Sequence, residues 1–195
     1  MKAFLRENPA IGFGLGLPLL LAIVFLVISG IPALFVDPPK YDVIYATGYH
    51  SYQEGVQVAV VGGQVQVTLR GASQSNLQVP RLWRYFAASG AVQEIAITLP
   101  PNLPTEVAAT LAAIPIEVAD LEGLSVDPAS IAPDGYEFRS GGDRSSGNIV
   151  GELLVSSRYR HHAQLVKDGR AIRLPNTGNA YYNQQTRLIG WVIEP

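Results

Sequence analysis

The histidines are the first residues to consider for metal or acid–base chemistry, and their spacing predicts no catalytic site. His161 and His162 are adjacent, and neighbouring residues of a regular strand point to opposite faces, so their imidazoles would not bind one metal ion together. His50, Ser51 and Glu54 match a catalytic triad in composition only, because no nucleophile-elbow pattern surrounds the serine. An envelope enzyme would need a cleft that converges on these histidines.

Carboxylate pairs are the second source of acid–base chemistry. The pairs with suitable spacing are Asp134 with Glu137, Asp120 with Glu122, and Glu106 with Glu117. Acidic residues near proline and glycine are usually solvated turn residues, and this reading fits these pairs better than catalysis does. The sequence therefore predicts a protein that is not an enzyme and holds no cofactor and no metal.

Charge is distributed unevenly along the chain. Residues Tyr41 to Phe138 contain three arginines and ten acidic residues, whereas Arg139 to Arg187 contains eight basic and three acidic residues. One interpretation is that both sets interleave over a solvated surface. The other is a basic patch for an anionic partner such as lipid headgroups, a glycan or peptide carboxylate, or an acidic subunit. Its members would be Arg158, Arg160, Lys167, Arg170 and Arg173.

Aromatic side chains allow a ligand groove as well as ordinary strand packing. The residues that could line such a groove are Tyr49, Tyr52, Tyr181, Tyr182, Trp83 and Trp191. Amphipathic rings suit carbohydrate or peptide contacts, but aromatic residues in β-rich domains more often pack between strands. Residues Gly178 to Gln185 would form the edge of the groove.

The element that must position the rest of the chain is a long apolar segment. Residues Pro9 to Val36 include no ionisable side chain in a run of 28, although the whole chain is 48% hydrophobic and 15% charged. As a helix this run would extend about 42 Å, more than the hydrocarbon layer of a bilayer. Asn8 and Pro9 suit its beginning, and the prolines after Asp37 end it. We predict a transmembrane helix over 9–36.

The charges beside this segment predict its orientation. Lys2 and Arg6 precede it, so residues 1–8 should lie in the cytoplasm, with a short tether at 37–40 and an exported domain at 41–195. A bacterial inner membrane with the domain in the periplasm fits this reading, and an exported domain would meet no nucleic acid. A cleavable signal peptide is the alternative, although apolar regions of signal peptides are only about 7 to 15 residues long.

Small residues near the beginning of the segment predict a helix-packing face. Gly12 and Gly16 have the G-x-x-x-G spacing, and Ala10 and Gly14 form a second small pair on an adjacent face. Such spacing lets another helix approach closely, either from another membrane subunit or from a second copy of the chain. The alternative is that glycine is simply frequent in membrane helices.

The exported domain has the alternating pattern of antiparallel strands. A hairpin closing at Gly62-Gly63 would pair Val60 with Val65 and Val58 with Val67 on one apolar face. Further strands are expected over 41–49, 82–85, 92–99, 149–156, 163–174 (as a hairpin around Asp168-Gly169) and 188–193. The 82–99 hairpin would have a loop of Ser89 to Ala91, setting Trp83 against Ile97 and Tyr85 against Ile95.

Helix and loop signals complete the predicted architecture. A helix over 80–89 is the rival to the second hairpin, and the best helical candidate spans about 103–113. Residues 120–148 carry many turn signals and should form an extended loop with few regular elements. We expect a mainly β fold, an antiparallel β sandwich or open barrel with one short helix, after the transmembrane helix.

These features predict a single-pass membrane protein whose exported β domain is a non-catalytic accessory or scaffold subunit of a larger membrane complex. The short tether and the small-residue face favour contacts within or beside the bilayer, with other subunits or with a second copy. The alternative is a membrane-anchored envelope binding module that recognises a glycan, a lipid or a peptide.

Overall fold

The computed structural model describes residues 14, 16–25, 35–48, 55–70, 77, 79–99, 113–140, 162–177 and 186–194. By contacts the chain forms two units. The first comprises Met1–Asp37 with Asp168–Arg170, and the second comprises Pro38–Lys167 with Ala171–Pro195. Most of the tether predicted at 37–40 therefore belongs to the second unit, in which Pro39 is buried and the backbone N–H of Lys40 donates a hydrogen bond to Asp134 Oδ2 at 2.7 Å.

Residues 16–25 of the first unit form a helix, and residues 16–24 are exposed on every side of it. Its exposed apolar side chains are Leu17, Leu19, Leu20, Leu21, Ile23 and Val24. Among the described residues, no helix reaches the length and hydropathy needed to cross a bilayer. Much of the span predicted over 9–36 lies outside the described residues.

The second unit is mainly β. Its described strands are β1 (Asp42–Thr47), β2 (Gly55–Val61), β3 (Gln64–Arg70), β4 (Arg81–Tyr85), β5 (Val92–Ile95), β6 (Ile114–Ile116), β7 (Ser125–Asp127), β8 (Glu137–Arg139), β9 (Gln164–Lys167), β10 (Arg170–Arg173) and β11 (Arg187–Glu194). A 3-10 helix spans Ala119–Leu121. The sheets have the orders β5-β4-β1-β11-β7, β10-β9-β8 and β2-β3-β6, with antiparallel pairing.

One hydrophobic cluster joins the five-stranded sheet to the β2-β3-β6 sheet. It contains Ile44 of β1, Val58 of β2, Leu82 of β4 and Ile189 of β11, all buried. Alternation explains this placement, because residues of one strand point to opposite faces and the apolar face of each strand turns to the shared core. The mainly β, antiparallel fold class is therefore confirmed for the described residues.

Two predicted hairpins are confirmed. In the first, Val60 pairs with Val65, Val58 with Val67 and Val56 with Leu69. Gly62 and Gly63 have φ of 59° and 79°, the positive values that a two-residue type I′ turn requires. Hairpin β9–β10 likewise turns at Asp168-Gly169, and Leu174 N donates to Ala163 O at 2.9 Å at the open end of the hairpin.

Hairpin β4–β5 exists, but its predicted register is wrong. Trp83 pairs with Glu94 and Tyr85 with Val92, and Leu82 lies opposite Ile95. The connection is longer than the expected three residues, because Phe86 N donates to Ala91 O at 2.9 Å and closes the loop there. This register places Leu82 and Ile95 together in the core. The rival helix over 80–89 is wrong.

The segment 120–148, expected to be an extended loop, has more regular structure than the turn signals suggested. Its described part, 120–140, includes most of the 3-10 helix and the short strands β7 and β8, with Val126 and Tyr136 fully buried. Tertiary pairing stabilises these elements, since Val126 lies opposite Val192 of β11 and Phe138 opposite Leu165 of β9.

The expected strands at 41–49 and 188–193 are present as β1 and β11. The helix expected at 103–113 and the strand at 149–156 lie outside the described residues, apart from Ala113, which is not helical.

Candidate functional site

Hairpin β9–β10 carries the described members of the predicted basic patch. Asp168 and Gly169 have φ of 44° and 84°, so the hairpin reverses within two residues, with Lys167 at the end of β9 and with Arg170 and Arg173 at the two ends of β10. Arg158 and Arg160 lie outside the described residues. The structure therefore brings three of the five predicted cations onto one short hairpin.

Two of these cations are bound within the second unit. Lys167 Nζ donates to the backbone oxygen of Asp134 and lies 5.6 Å from the centre of the Tyr136 ring. Arg173 Nη2 lies 2.6 Å from Nε2 of His162. Because a guanidinium only donates, the ring nitrogen that receives this hydrogen bond must be unprotonated.

Arg170 makes a different contact. Its Nη1 donates to the backbone oxygen of Val36 at 2.6 Å, so the guanidinium lies at the end of the apolar segment, inside the first unit. Among the described residues, no carboxylate lies within ion-pair distance of Arg170. A guanidinium has five N–H donors in a fork that matches carboxylate or phosphate oxygens.

The carboxylate pair Asp134 and Glu137 is structural. Asp134 accepts hydrogen bonds from the backbone N–H groups of Lys40 and Tyr136, while Glu137 pairs with Arg139 at 2.8 Å. Each carboxylate thus has its own partners, and the two do not form an acid–base pair. Asp120 and Glu122 are exposed beside the 3-10 helix, whereas Glu106 lies outside the described residues.

The described residues include no cluster of three or more metal-binding side chains. His162 contacts Arg173, as described above, while His50 and His161 lie outside the described residues.

The tryptophans expected to line a ligand groove are packing residues instead. Trp83 Nε1 donates to Thr47 Oγ1 at 2.9 Å, and Trp191 Nε1 donates to a backbone oxygen at 2.8 Å; both rings are buried. The four tyrosines of that groove lie outside the described residues.

A partly buried ion pair, which the sequence reasoning missed, fixes the beginning of β1. Arg84 donates from Nε and Nη2 to Asp42 Oδ2 at 3.0 and 2.7 Å, and Asp42 Oδ1 accepts from Ala87 N at 2.9 Å. Both side chains are about four-fifths buried, with relative exposures of 20% and 19%. The local sequence around Asp42 carries no signal for a partner 42 positions away.

Tyr45 is a second polar anchor that the sequence did not reveal. Its hydroxyl donates to the backbone oxygen of Pro175 at 2.8 Å, and the residue is fully buried. Burial raises the pKa of this phenol well above its ordinary value, because the charged phenolate would lose its hydration.

A cleft of about 520 Å³ lies between β3, β6 and the 3-10 helix. Its lining residues are Gln64, Val65, Gln66, Val67, Thr68, Pro115, Ile116, Glu117, Val118, Leu121, Glu122 and Gly123. Of these lining residues, Val67 and Ile116 are buried, whereas Gln66, Glu117 and Glu122 are exposed. The available signal was the alternation in β3, where Gln64 and Gln66 flank Val65 and therefore lie on the opposite face of the strand from it.

The predicted helix-packing face is described only in part. A methyl group built at Gly14 or Gly16 would meet no atom within 4 Å, so both positions are open to an approaching helix. Ala10 and Gly12 lie outside the described residues.

No protein-family model, no curated protein and no solved structure matches this chain.

Proposed function

We propose that the protein is a single-pass membrane protein whose β domain is a non-catalytic accessory or scaffold subunit of a larger membrane complex. The observation that carries the proposal is the helix over 16–25, whose apolar side chains are exposed on all sides within an uncharged run of 28 residues. Apolar surface in water is unfavourable by about 25 cal/mol per Å² relative to burial, so lipid is the solvent that suits this surface.

The charges at the N-terminus support one orientation of this anchor. Lys2 and Arg6 precede the segment and favour a cytoplasmic N-terminus, which would place the β domain in the periplasm. Fusions of the full chain to a reporter that is active only after export test this. Activity of a reporter joined after Glu194 supports the orientation, and activity of one joined before Met1 overturns it.

The scaffold role is supported by how the domain uses its polar groups. Asp42, Asp134 and Glu137 are occupied by ion pairs and backbone N–H groups that stabilise the fold. The core shared by the five-stranded and the β2-β3-β6 sheets supports a sandwich or open-barrel architecture. Partners would be other membrane subunits or a second copy, meeting at the small-residue face around Gly14 and Gly16.

Photocrosslinking in native membranes tests the scaffold role. A photoreactive residue would replace Val61, Ile131 or Ile193, which are exposed apolar positions of the β domain, or Gly16 on the predicted packing face. A photoreactive residue at exposed Gln93 is the matched polar control. Discrete adducts with another membrane protein or with a second copy at one or more of these sites, absent from the control, support the proposal. A monomeric protein without adducts at any site overturns it.

The cleft beside β3 favours a second candidate function, a membrane-anchored module that binds an envelope ligand. Its lining combines buried apolar residues with exposed hydrogen-bonding ones, as ligand sites usually do. Screening the full chain in nanodiscs against envelope glycans and peptides tests this. A ligand whose binding is lost in Gln66→Arg and kept in Gln93→Arg supports the module, and a ligand equally affected by both variants does not occupy the cleft.

A further inference from the structure

We propose that Arg170 binds the phosphate of an anionic phospholipid headgroup at the end of the apolar segment. The inference rests on the proposed membrane location and goes beyond the scaffold role, because it names a lipid as the ligand of one side chain. It starts from the contact between Arg170 Nη1 and the backbone oxygen of Val36 at 2.6 Å.

The position of Val36 defines where this guanidinium lies. Val36 is the last residue before the charged Asp37, so it ends the run without ionisable side chains. If that run crosses the hydrocarbon layer, its end lies at the headgroups, where arginine side chains place their charge while their methylene groups remain in apolar surroundings. The exposed ring of Phe35, one residue earlier, fits the same depth.

The hydrogen-bonding state of Arg170 indicates what it would bind. One N–H donor is used by the backbone oxygen of Val36, which directly follows the helical residue Phe35. Carbonyl groups at the end of a helix have no intrahelical partner. No carboxylate of the described residues lies within ion-pair distance of Arg170, so its charge has no ion-pair partner in that part of the chain. A phosphate diester supplies both the negative charge and the paired oxygens that a guanidinium fork binds.

The other cations of the hairpin distinguish a site from general positive charge. Lys167 and Arg173 are each three residues from Arg170 along the chain, but both have partners in the second unit. Lys167 contacts Asp134 and Tyr136, and Arg173 contacts His162. Asp168, in the turn, opposes anion binding at the tip by like charge. Its backbone has a φ of 44°, a value that asparagine adopts readily, so its charge can be removed without disturbing the turn.

Lipid selection by the full chain tests the site. Wild-type protein and the variants Arg170→Gln, Arg173→Gln and Asp168→Asn are reconstituted in nanodiscs of equal phosphatidylcholine and phosphatidylglycerol. The lipids retained on the protein after transfer to mild detergent are counted by native mass spectrometry. We expect wild-type protein to enrich phosphatidylglycerol, Arg170→Gln to lose about fivefold of that enrichment, Arg173→Gln to keep it, and Asp168→Asn to increase it.

The outcomes separate this inference from the proposed function. Equal enrichment in Arg170→Gln and wild type, or an equal loss in Arg170→Gln and Arg173→Gln, overturns the site. Loss of enrichment when inorganic phosphate is added at millimolar concentration overturns the lipid as its ligand. Carbonate extraction is done first, and release of the wild-type chain from membranes would overturn the membrane proposal itself. The melting temperature followed by Trp83 and Trp191 fluorescence should be unchanged in Arg170→Gln, and a large decrease would assign Arg170 to folding instead.

Discussion

The helix over 16–25 and the β domain treat the same residue types in opposite ways. Leu20 of the helix is 58% exposed, whereas Leu82 of β4 is completely buried. In the β domain, alternation lets each strand turn its apolar face to a shared core, whereas the helix is apolar on every side and could not bury all of them against one sheet. The β domain therefore buries its apolar side chains in its own core, whereas those of the helix stay exposed.

Charges inserted into the two regions should give the largest contrast. Leu20→Arg with Val24→Arg places two charges on one face near the middle of the apolar run, at a cost of about 5 to 7 kcal/mol for membrane insertion. We expect the variant to be released from membranes by carbonate. The matched control is Val61→Arg with Ile131→Arg, at β-domain positions that are 53% and 54% exposed. Equal release of both variants would contradict the difference between the regions.

The two regions also differ in how closely other atoms approach their glycines. A Cβ at Gly190 of β11 would lie 2.4 Å from Val126 Cγ1 and 2.6 Å from the backbone oxygen of Asp127, whereas one at Gly16 meets nothing within 4 Å. Gly190→Ala should lower the free energy of unfolding by about 3 kcal/mol, because the backbone cannot move away without disturbing the β7–β11 pairing. Denaturant unfolding measures this, with Gly16→Ala as the control that should leave the β domain unchanged.

Two arginine–carboxylate pairs of the β domain differ in burial: the Arg84–Asp42 pair is partly buried, and the Arg81–Glu94 pair is exposed. Asp42→Ala should lower the free energy of unfolding by about 2 kcal/mol, because it leaves the partly buried Arg84 and the N–H of Ala87 without their acceptor. The control is Glu94→Ala, which breaks an exposed pair with Arg81 at 2.7 Å. Although Arg81 binds both carboxylate oxygens of Glu94, this exposed pair should contribute little to the stability of the fold in water. Equal losses in both variants would show that burial is not the deciding factor.

Tyr45 allows the smallest test, and it depends on pH. Tyr45→Phe removes the hydrogen bond to Pro175 O and should cost about 1 kcal/mol at neutral pH. Because folding raises the pKa of the phenol, the unfolded chain ionises first, and the stability of wild type should fall by up to about 1.4 kcal/mol per pH unit above about pH 10. The advantage of wild type over the variant should therefore shrink with rising pH. Parallel stability curves would contradict this.

The register of a hairpin could be predicted from the sequence where its turn has two residues, and not where its connection is longer. Gly62-Gly63 and Asp168-Gly169 each define a two-residue turn, so loop length, register and buried face could be deduced together. The β4–β5 connection is closed by the bond between Phe86 and Ala91, and it is held by Ala87 N donating to Asp42 Oδ1, a residue of another strand. No local pattern encodes such a long-range contact.

The candidate site was predictable in composition but not in arrangement. Charge asymmetry identified Lys167, Arg170 and Arg173, and the Asp-Gly turn placed them on one hairpin. Sequence could not show that only Arg170 of these contacts Val36, since that bond joins residues 134 positions apart. The cleft beside β3 was missed for a similar reason, because β6 and the 3-10 helix come from a distant part of the chain.

The place of β1 in its sheet has a mechanical consequence. β1 is the first strand after the apolar segment and lies in the middle of five, between β4 and β11. Its hydrogen bonds to both neighbours run across the strand direction, so a pull along the chain from its N-terminal end loads many of them in shear at once. Tension arriving through residues 37–40 would thus act on a central strand, held on both sides, rather than peel away an edge strand.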